Sequence, residues 1–174
     1  MHFLLNKGGL YKAYNGNLLY HGCVPLKEDG NLKSVRIFGR AYKGKGLYEV
    51  LESYVRKGFY AMDPKEKERG KDIMWYIWLS ENSPLFGKDK MATFERYFLA
   101  EKETHKEKKN PYYLLLEDEK VVEKILKEFG LENEDAHIIN GHVPVKCKDG
   151  ENPVKCGGKV LVIDGGFSKA YQKE

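Results

Sequence analysis

The order of hydrophobic patterns along the chain predicts a mixed α/β fold of the α+β type. Short apolar runs with strand character lie at both ends, and amphipathic stripes at helical spacing fill the middle. The length of 174 residues matches a domain of the usual size, about 100–200 residues.

The first strand signal is Leu18-Leu19-Tyr20, followed by His21-Gly22. The second, Val35-Arg36-Ile37-Phe38, comes after the turn residues Glu28-Asp29-Gly30-Asn31. A helix is predicted over 46–60, because Leu47, Val50, Leu51, Tyr54 and Val55 draw one apolar stripe. Asp63 followed by Pro64 marks the start of a second helix over 64–79, with proline at its first position. The second half of that helix, Ile73 to Leu79, is apolar all round, which predicts a buried end. Residues 92–103 make a shorter helix candidate. Residues 119–129 carry Val121, Val122, Ile125, Leu126 and Phe129, with Gly130 as a stop. The apolar runs His137-Ile138-Ile139-Asn140 and Val160-Leu161-Val162-Ile163 read as buried strands. The chain thus divides into strands over 1–42, a helical insertion over 43–130 and strands over 131–174.

Charge and composition exclude several classes. The 30 basic and 26 acidic side chains leave a net charge of +4, and the two signs interleave, which argues against a nucleic-acid binder. The run Lys106, Lys108 and Lys109 is interrupted by Glu107 and reads as a solvated face. The longest apolar run is far short of the roughly 18 residues that a membrane span needs. The opening MHFLLNKGGL lacks the features of a secretory signal. Cys23, Cys147 and Cys156 are odd in number and widely spaced, so reduced thiols and a cytoplasmic location are expected.

Two histidines stand out. His21 leaves an apolar strand beside Gly22, and Pro25 follows. Alone, such a histidine reads as a side chain satisfied by backbone at a strand end. The arrangement recurs in Ile138-Ile139-Asn140-Gly141-His142-Val143-Pro144, where His142 again sits just past an apolar strand. On neighbouring strands of one sheet, two such imidazoles would converge on one ion, with carboxylates from elsewhere balancing its charge. A rival motif, Gly39-Arg40-Ala41-Tyr42-Lys43-Gly44-Lys45-Gly46, has the glycine and lysine spacing of a phosphate-binding loop. Gly46 stands where the magnesium-binding hydroxyl belongs, so a glycine-rich turn is the better reading.

The stretches Asn17–Pro25, Ser83–Lys88 running on to Phe94–Phe98, Thr104–Tyr113, Ile139–Pro153 and Val162–Tyr171 together resemble one family. The chain is similar throughout to the class III fructose-1,6-bisphosphatases of Firmicutes and related bacteria, within the calcineurin-like metallophosphoesterases. The resemblance implies a β-sandwich flanked by helices with two metal ions, manganese as a rule, at the strand ends. The implied reaction releases the 1-phosphate of fructose 1,6-bisphosphate to give fructose 6-phosphate, a step of gluconeogenesis. By the same resemblance His21 and His142 bind one ion of the pair, and no catalytic residue is carried over.

The chain departs from the superfamily in one respect. The motifs G-D-x-H-G, G-D-x-x-D-R-G and G-N-H-[ED], which precede the histidine matching His21, do not occur. Asp135-Ala136-His137 has similar spacing without the glycines and reads as a strand entry. An incomplete domain is therefore expected, inactive by itself and partnered by the missing N-terminal segment. The alternative is a non-catalytic remnant or interaction module. Lys88, Lys90, Arg96, Lys146 and Lys169 lie in or beside the matching motifs and are candidates for holding sugar phosphates, with a solvated surface role as the alternative for each. Asp164-Gly165-Gly166-Phe167-Ser168 would form either a loop lining the site or a turn that ends its strand. No nucleic-acid or membrane partner is expected, and the question of a homo-oligomer stays open.

Overall fold

The computed structural model describes residues 2–145 and 150–164. Its elements in order are α1 (His2–Lys7), β1 (Tyr11–Tyr14), β2 (Asn17–Tyr20), β3 (Val35–Ile37), β4 (Arg40–Tyr42), α2 (Gly44–Tyr60), α3 (Pro64–Leu79), α4 (Thr93–Phe98), α5 (Glu119–Glu128), β5 (His137–Asn140), β6 (Val154–Lys155) and β7 (Val160–Val162). The fold is α+β. By contacts the chain divides into two compact units, Met1–Leu10 with Cys23–Leu114, and Tyr11–Gly22 with Leu115–Glu174. The expected segments 1–42, 43–130 and 131–174 follow secondary structure instead, so their borders differ from these.

The second unit holds a five-stranded mixed sheet in the order β1-β2-β5-β7-β6. The central pairs β2–β5 and β5–β7 are parallel, and the outer pairs β1–β2 and β6–β7 are antiparallel. Between β1 and β2, Asn15 and Gly16 both take positive φ, 48° and 75°, as a two-residue type I′ hairpin turn requires. The side chains of β2 alternate, with Leu18 and Tyr20 buried, and β5 does the same with Ile138 and Asn140. Helix α5 buries Val121, Val122, Ile125 and Leu126 and packs on β5. The Asp118 side chain starts this helix by accepting from the Lys120 and Val121 amides at 3.0 and 3.4 Å. Gly130, at φ 82°, ends it: Leu131 N–H donates to the Leu126 carbonyl and Gly130 N–H to that of Lys127.

The first unit is built on the α2–α3 hairpin and the β3–β4 ribbon. Phe38 and Gly39, both at positive φ, form the ribbon's turn, and β4 occupies Arg40–Tyr42. The stretch with phosphate-loop spacing is thus a hairpin strand running into a helix. Val35, Ile37, Leu47, Leu51, Ile73 and Ile77 make the core, which joins the ribbon to one face of each helix. Helices α2 and α3 cross in backbone contact. A Cβ on Gly58 would lie 2.5 Å from Gly70 Cα, and one on Gly70 would lie 2.7 Å from Gly58 Cα. Cys23 is a free, buried thiol, and desolvation pushes its pKa up to about 12.

Two expectations need correction. The end of α3 is not buried all round: Ile73 and Ile77 face the core, but Met74, Trp75, Trp78 and Leu79 are exposed. The close glycine crossing turns one stripe of α3 toward α2, and no described element covers the opposite side. The helix expected over 92–103 is interrupted. Helix α4 stops at Phe98, Leu99 is extended, and Lys102–His105 forms a separate 3₁₀ turn. The His105 Nε2 atom lies 3.1 Å from the Glu95 carbonyl and 3.0 Å from that of Leu99, so the imidazole occupies the helix end. The five-stranded sheet and the two-stranded ribbon are separate sheets in separate units.

Two substitutions test these contacts. In a helix interior Gly→Ala ordinarily stabilises by about 1 kcal/mol. Gly70→Ala is expected to lower the stability of this chain by about 1–3 kcal/mol in urea unfolding, because the backbones must separate. Gly130→Ala is expected to cost about 1–2 kcal/mol by the same measurement, because the added Cβ is strained in the left-handed region.

Candidate metal centre

The site grows out of the parallel β2–β5 pairing. Its register sets Asn17 beside His137, Leu18 beside Ile138 and Leu19 beside Ile139. Both strands then end at the same level, at Tyr20 and Asn140, so the next residues of each emerge side by side. The Gly141 N–H donates to the His21 carbonyl at 2.9 Å and extends the pairing one step beyond the strands. The buried Asn140 amide donates from Nδ2 to the Gly22 carbonyl at 3.1 Å, and its backbone carbonyl accepts from Ile163 at 2.8 Å. Three hydrogen bonds therefore tie the ends of β2, β5 and β7 together.

At this junction His21 Nε2 and His142 Nδ1 stand 3.0 Å apart, with the rings edge to face at a centroid distance of 4.8 Å. His142 has φ 69°, a region that a non-glycine residue occupies at a cost of about 1–2 kcal/mol. Such strain persists where surrounding structure over-determines it, and it concentrates at functional positions. Gly141, by contrast, has only ordinary room. A Cβ there would lie 3.5 Å from the Asp164 Cβ, so no close approach demands glycine.

At 3.0 Å the two ring nitrogens are within hydrogen-bond distance of each other, and an ion held by both would take the place of that bond. Neutral imidazole is a good ligand for transition metals. Among the described residues, no group of three or more His, Cys, Asp or Glu is close enough to hold an ion.

The other candidates fall as follows. His137 opens β5, its N–H donating to the Gly16 carbonyl at 3.1 Å, so Asp135-Ala136-His137 is a strand entry. Asp164 follows β7, and its carbonyl accepts from Val145 at 3.2 Å; residues 165–168 of its loop lie outside the described residues. Lys146 and Lys169 lie outside them too. Lys88, Lys90 and Arg96 come together in the first unit. Lys88 pairs with Glu107 at 3.4 Å, Lys90 donates to the Thr104 carbonyl at 2.6 Å, and Arg96 lies 3.8 Å from Glu107. Burial disfavours the charge of Glu107, but the Ala92 N–H, Lys88 and Arg96 outweigh it and hold the carboxyl below the usual range. These three cations are therefore already engaged locally. The residue that sequence reasoning missed is Asn140, legible only as a polar residue closing an apolar strand.

Comparisons with known proteins agree with the resemblance. The family described as Firmicute fructose-1,6-bisphosphatase matches residues 1–174. A protein of Clostridioides difficile (strain 630) named Fructose-1,6-bisphosphatase class 3 is 59% identical over 172 residues, covering 98% of this chain and 26% of its own length. A protein of the same name from Clostridium botulinum (strain Hall) is 57% identical over 173 residues, covering 99% of this chain and 26% of its own length. The chain spans about a quarter of the length of the curated relatives it matches. No solved structure matches it. With a family match along all its residues and relatives well above half identical, the chain belongs to the Firmicute fructose-1,6-bisphosphatase family.

Proposed function

We propose that this chain supplies part of the two-metal centre of a class 3 fructose-1,6-bisphosphatase, with His21 and His142 as ligands of one divalent ion, manganese by preference. The observation that carries this is the convergence of the two ring nitrogens at 3.0 Å on adjoining strand ends. When bound, the ions of such a centre activate water and neutralise charge on the phosphoryl oxygens. The substrate is fructose 1,6-bisphosphate, cleaved at its 1-phosphate in the cytoplasmic pathway of gluconeogenesis.

In this reading the imidazoles bind without adding charge, and the carboxylates come from the N-terminal motifs of the superfamily. Asn140 and Gly141 hold the two histidine-bearing segments at one level, so the ligand pair is set before any ion arrives. The five-stranded sheet is one layer of the calcineurin-like sandwich, and residues 43–130 are its helical insertion. Lys146 and Lys169 follow the two late strands in sequence and are candidates for the substrate's phosphates. Lys88, Lys90 and Arg96 would have to exchange their present partners to join them.

Phosphate release from fructose 1,6-bisphosphate in the presence of Mn²⁺ tests this. The 174 residues alone are expected to show none above background. Joined to the sequence that precedes this region in the family, they are expected to show Mn²⁺-dependent release that His142→Asn lowers by about 100-fold or more. Asparagine tolerates the left-handed backbone at that position, so a loss reports the ligand and not a misfolded turn. Vigorous release from the 174 residues alone, or full activity of the His142→Asn protein, would overturn the proposal.

A further inference from the structure

Three lysines of the first unit have no ion-pair partner among the described residues, and they share one cavity. Lys27, Lys108 and Lys109 line a pocket of about 210 Å³ together with Lys33. Lys33 lies 3.8 Å from Glu81, a loose pair between two exposed side chains. Glu28 and Glu81 are the only acidic residues of the lining, so four lysines face two glutamates and two positive charges are left over. A concave surface focuses the field of such a surplus. The basic run at 106–109 is therefore not one solvated face. Lys106 pairs with Glu103 at 2.8 Å, whereas Lys108 and Lys109 belong to the cavity.

Backbone hydrogen bonds fix the segments that carry these lysines. The Lys27 N–H donates to the Asn31 carbonyl at 2.8 Å and the Lys33 N–H to that of Pro25 at 2.9 Å, which closes the turn between them. Lys109 bridges Lys88 in antiparallel fashion, and the Asp89 N–H donates to the Lys108 carbonyl at 2.9 Å. Asn110 joins the two segments. It is only 5% exposed, and its Oδ1 accepts from the Leu26 and Tyr112 N–H groups, both at 3.1 Å. Those two donors settle which way the amide points. The Nδ2 group is left as a donor with no partner among the described residues, on a side chain that lines the cavity. Its complement is an acceptor supplied by an occupant.

We propose that this cavity binds the phosphate group of a small molecule, with the lysines supplying charge and Asn110 Nδ2 a fixed donor. A phosphate monoester carries a charge of about −1.5 to −2 at pH 7 and three strong acceptor oxygens. That matches both the surplus charge and the unpartnered donor. Lysine binds phosphate as a point charge, so no planar fork is needed. The volume is below the roughly 300–1,000 Å³ of pockets for drug-sized ligands, which selects inorganic phosphate or a short phosphate ester. Every lining residue belongs to the first unit, whereas His21 and His142 belong to the second. The inference does not depend on the metal centre.

NMR titration of the isotope-labelled chain tests it without metal, using inorganic phosphate and glycerol 3-phosphate at constant ionic strength. With either probe, amide shifts are expected to cluster at residues 26–33 and 108–111 and to saturate with a dissociation constant of about 1 mM or tighter. Glycerol, which has no charge, is expected to leave them in place. Tighter binding of the ester assigns the site to an organic phosphate, and tighter binding of inorganic phosphate to the free ion; both support the proposal. Asn110→Asp keeps an acceptor for Leu26 and Tyr112 but replaces the Nδ2 donor with a second carboxylate oxygen, and is expected to weaken binding by about tenfold or more. The double variant Lys108→Gln with Lys109→Gln changes two exposed side chains. It is expected to weaken binding by about tenfold or more with the melting temperature of the unliganded chain unchanged, and it serves as the test even where Asn110→Asp does not fold. Shifts scattered without saturation over surface lysines outside the cavity would overturn the proposal. So would undiminished affinity in the double lysine variant.

Discussion

The parallel pairing of β2 with β5 is the constraint on which the candidate site depends. The paired strands lie more than one hundred residues apart in sequence, and a parallel pair needs a long crossover between them. Once the register is set, the histidines have little freedom left. Gly141 N–H meets the His21 carbonyl, Asn140 holds Gly22, and the left-handed backbone at His142 accompanies the approach of its ring to that of His21. A slip of one residue would exchange the buried and exposed faces of β5 and separate the pair. The same alternation that buries Leu18 and Ile138 therefore sets the geometry of the histidine pair.

The first unit shows a different economy. Its two long helices approach through Gly58 and Gly70, and this close crossing lets Ile73 and Ile77 reach the core formed with Leu47 and Leu51. Helix α3 carries more apolar residues than that single interface can bury, and the surplus is the face bearing Met74, Trp75, Trp78 and Leu79. Lys88 and Arg96 pair with Glu107 and Lys90 donates to the Thr104 carbonyl, in place of presenting an open cationic surface. A charged residue in a sequence motif is a candidate ligand only until its local partners are known.

Much of this was legible in advance. Asp63-Pro64 marks the start of α3, and Gly130 marks the end of α5, because capping chemistry is local. The strands around His21 and His142 were visible as apolar runs, and their shared context singled out the two histidines. The hairpin of β1 was missed although Asn15-Gly16 is a strong turn signal, since Tyr11–Tyr14 is largely exposed and has no buried stripe to reveal it. The interruption after Phe98 was hidden because the group at the helix end, His105, lies beyond the helix. Strand β6 has two residues, too few for any period.

The sequence by itself determined the class of fold, the start of α3, the end of α5, the family and the identity of the two ligand candidates. These depend on residue type and short-range spacing, which a linear text carries in full. Only the tertiary structure decided that the two imidazoles meet at 3.0 Å, that Asn140 secures them, and that one face of α3 is left open. Those outcomes depend on strand register and on which surfaces touch. Contacts between residues far apart in the chain set both, and no local pattern encodes them.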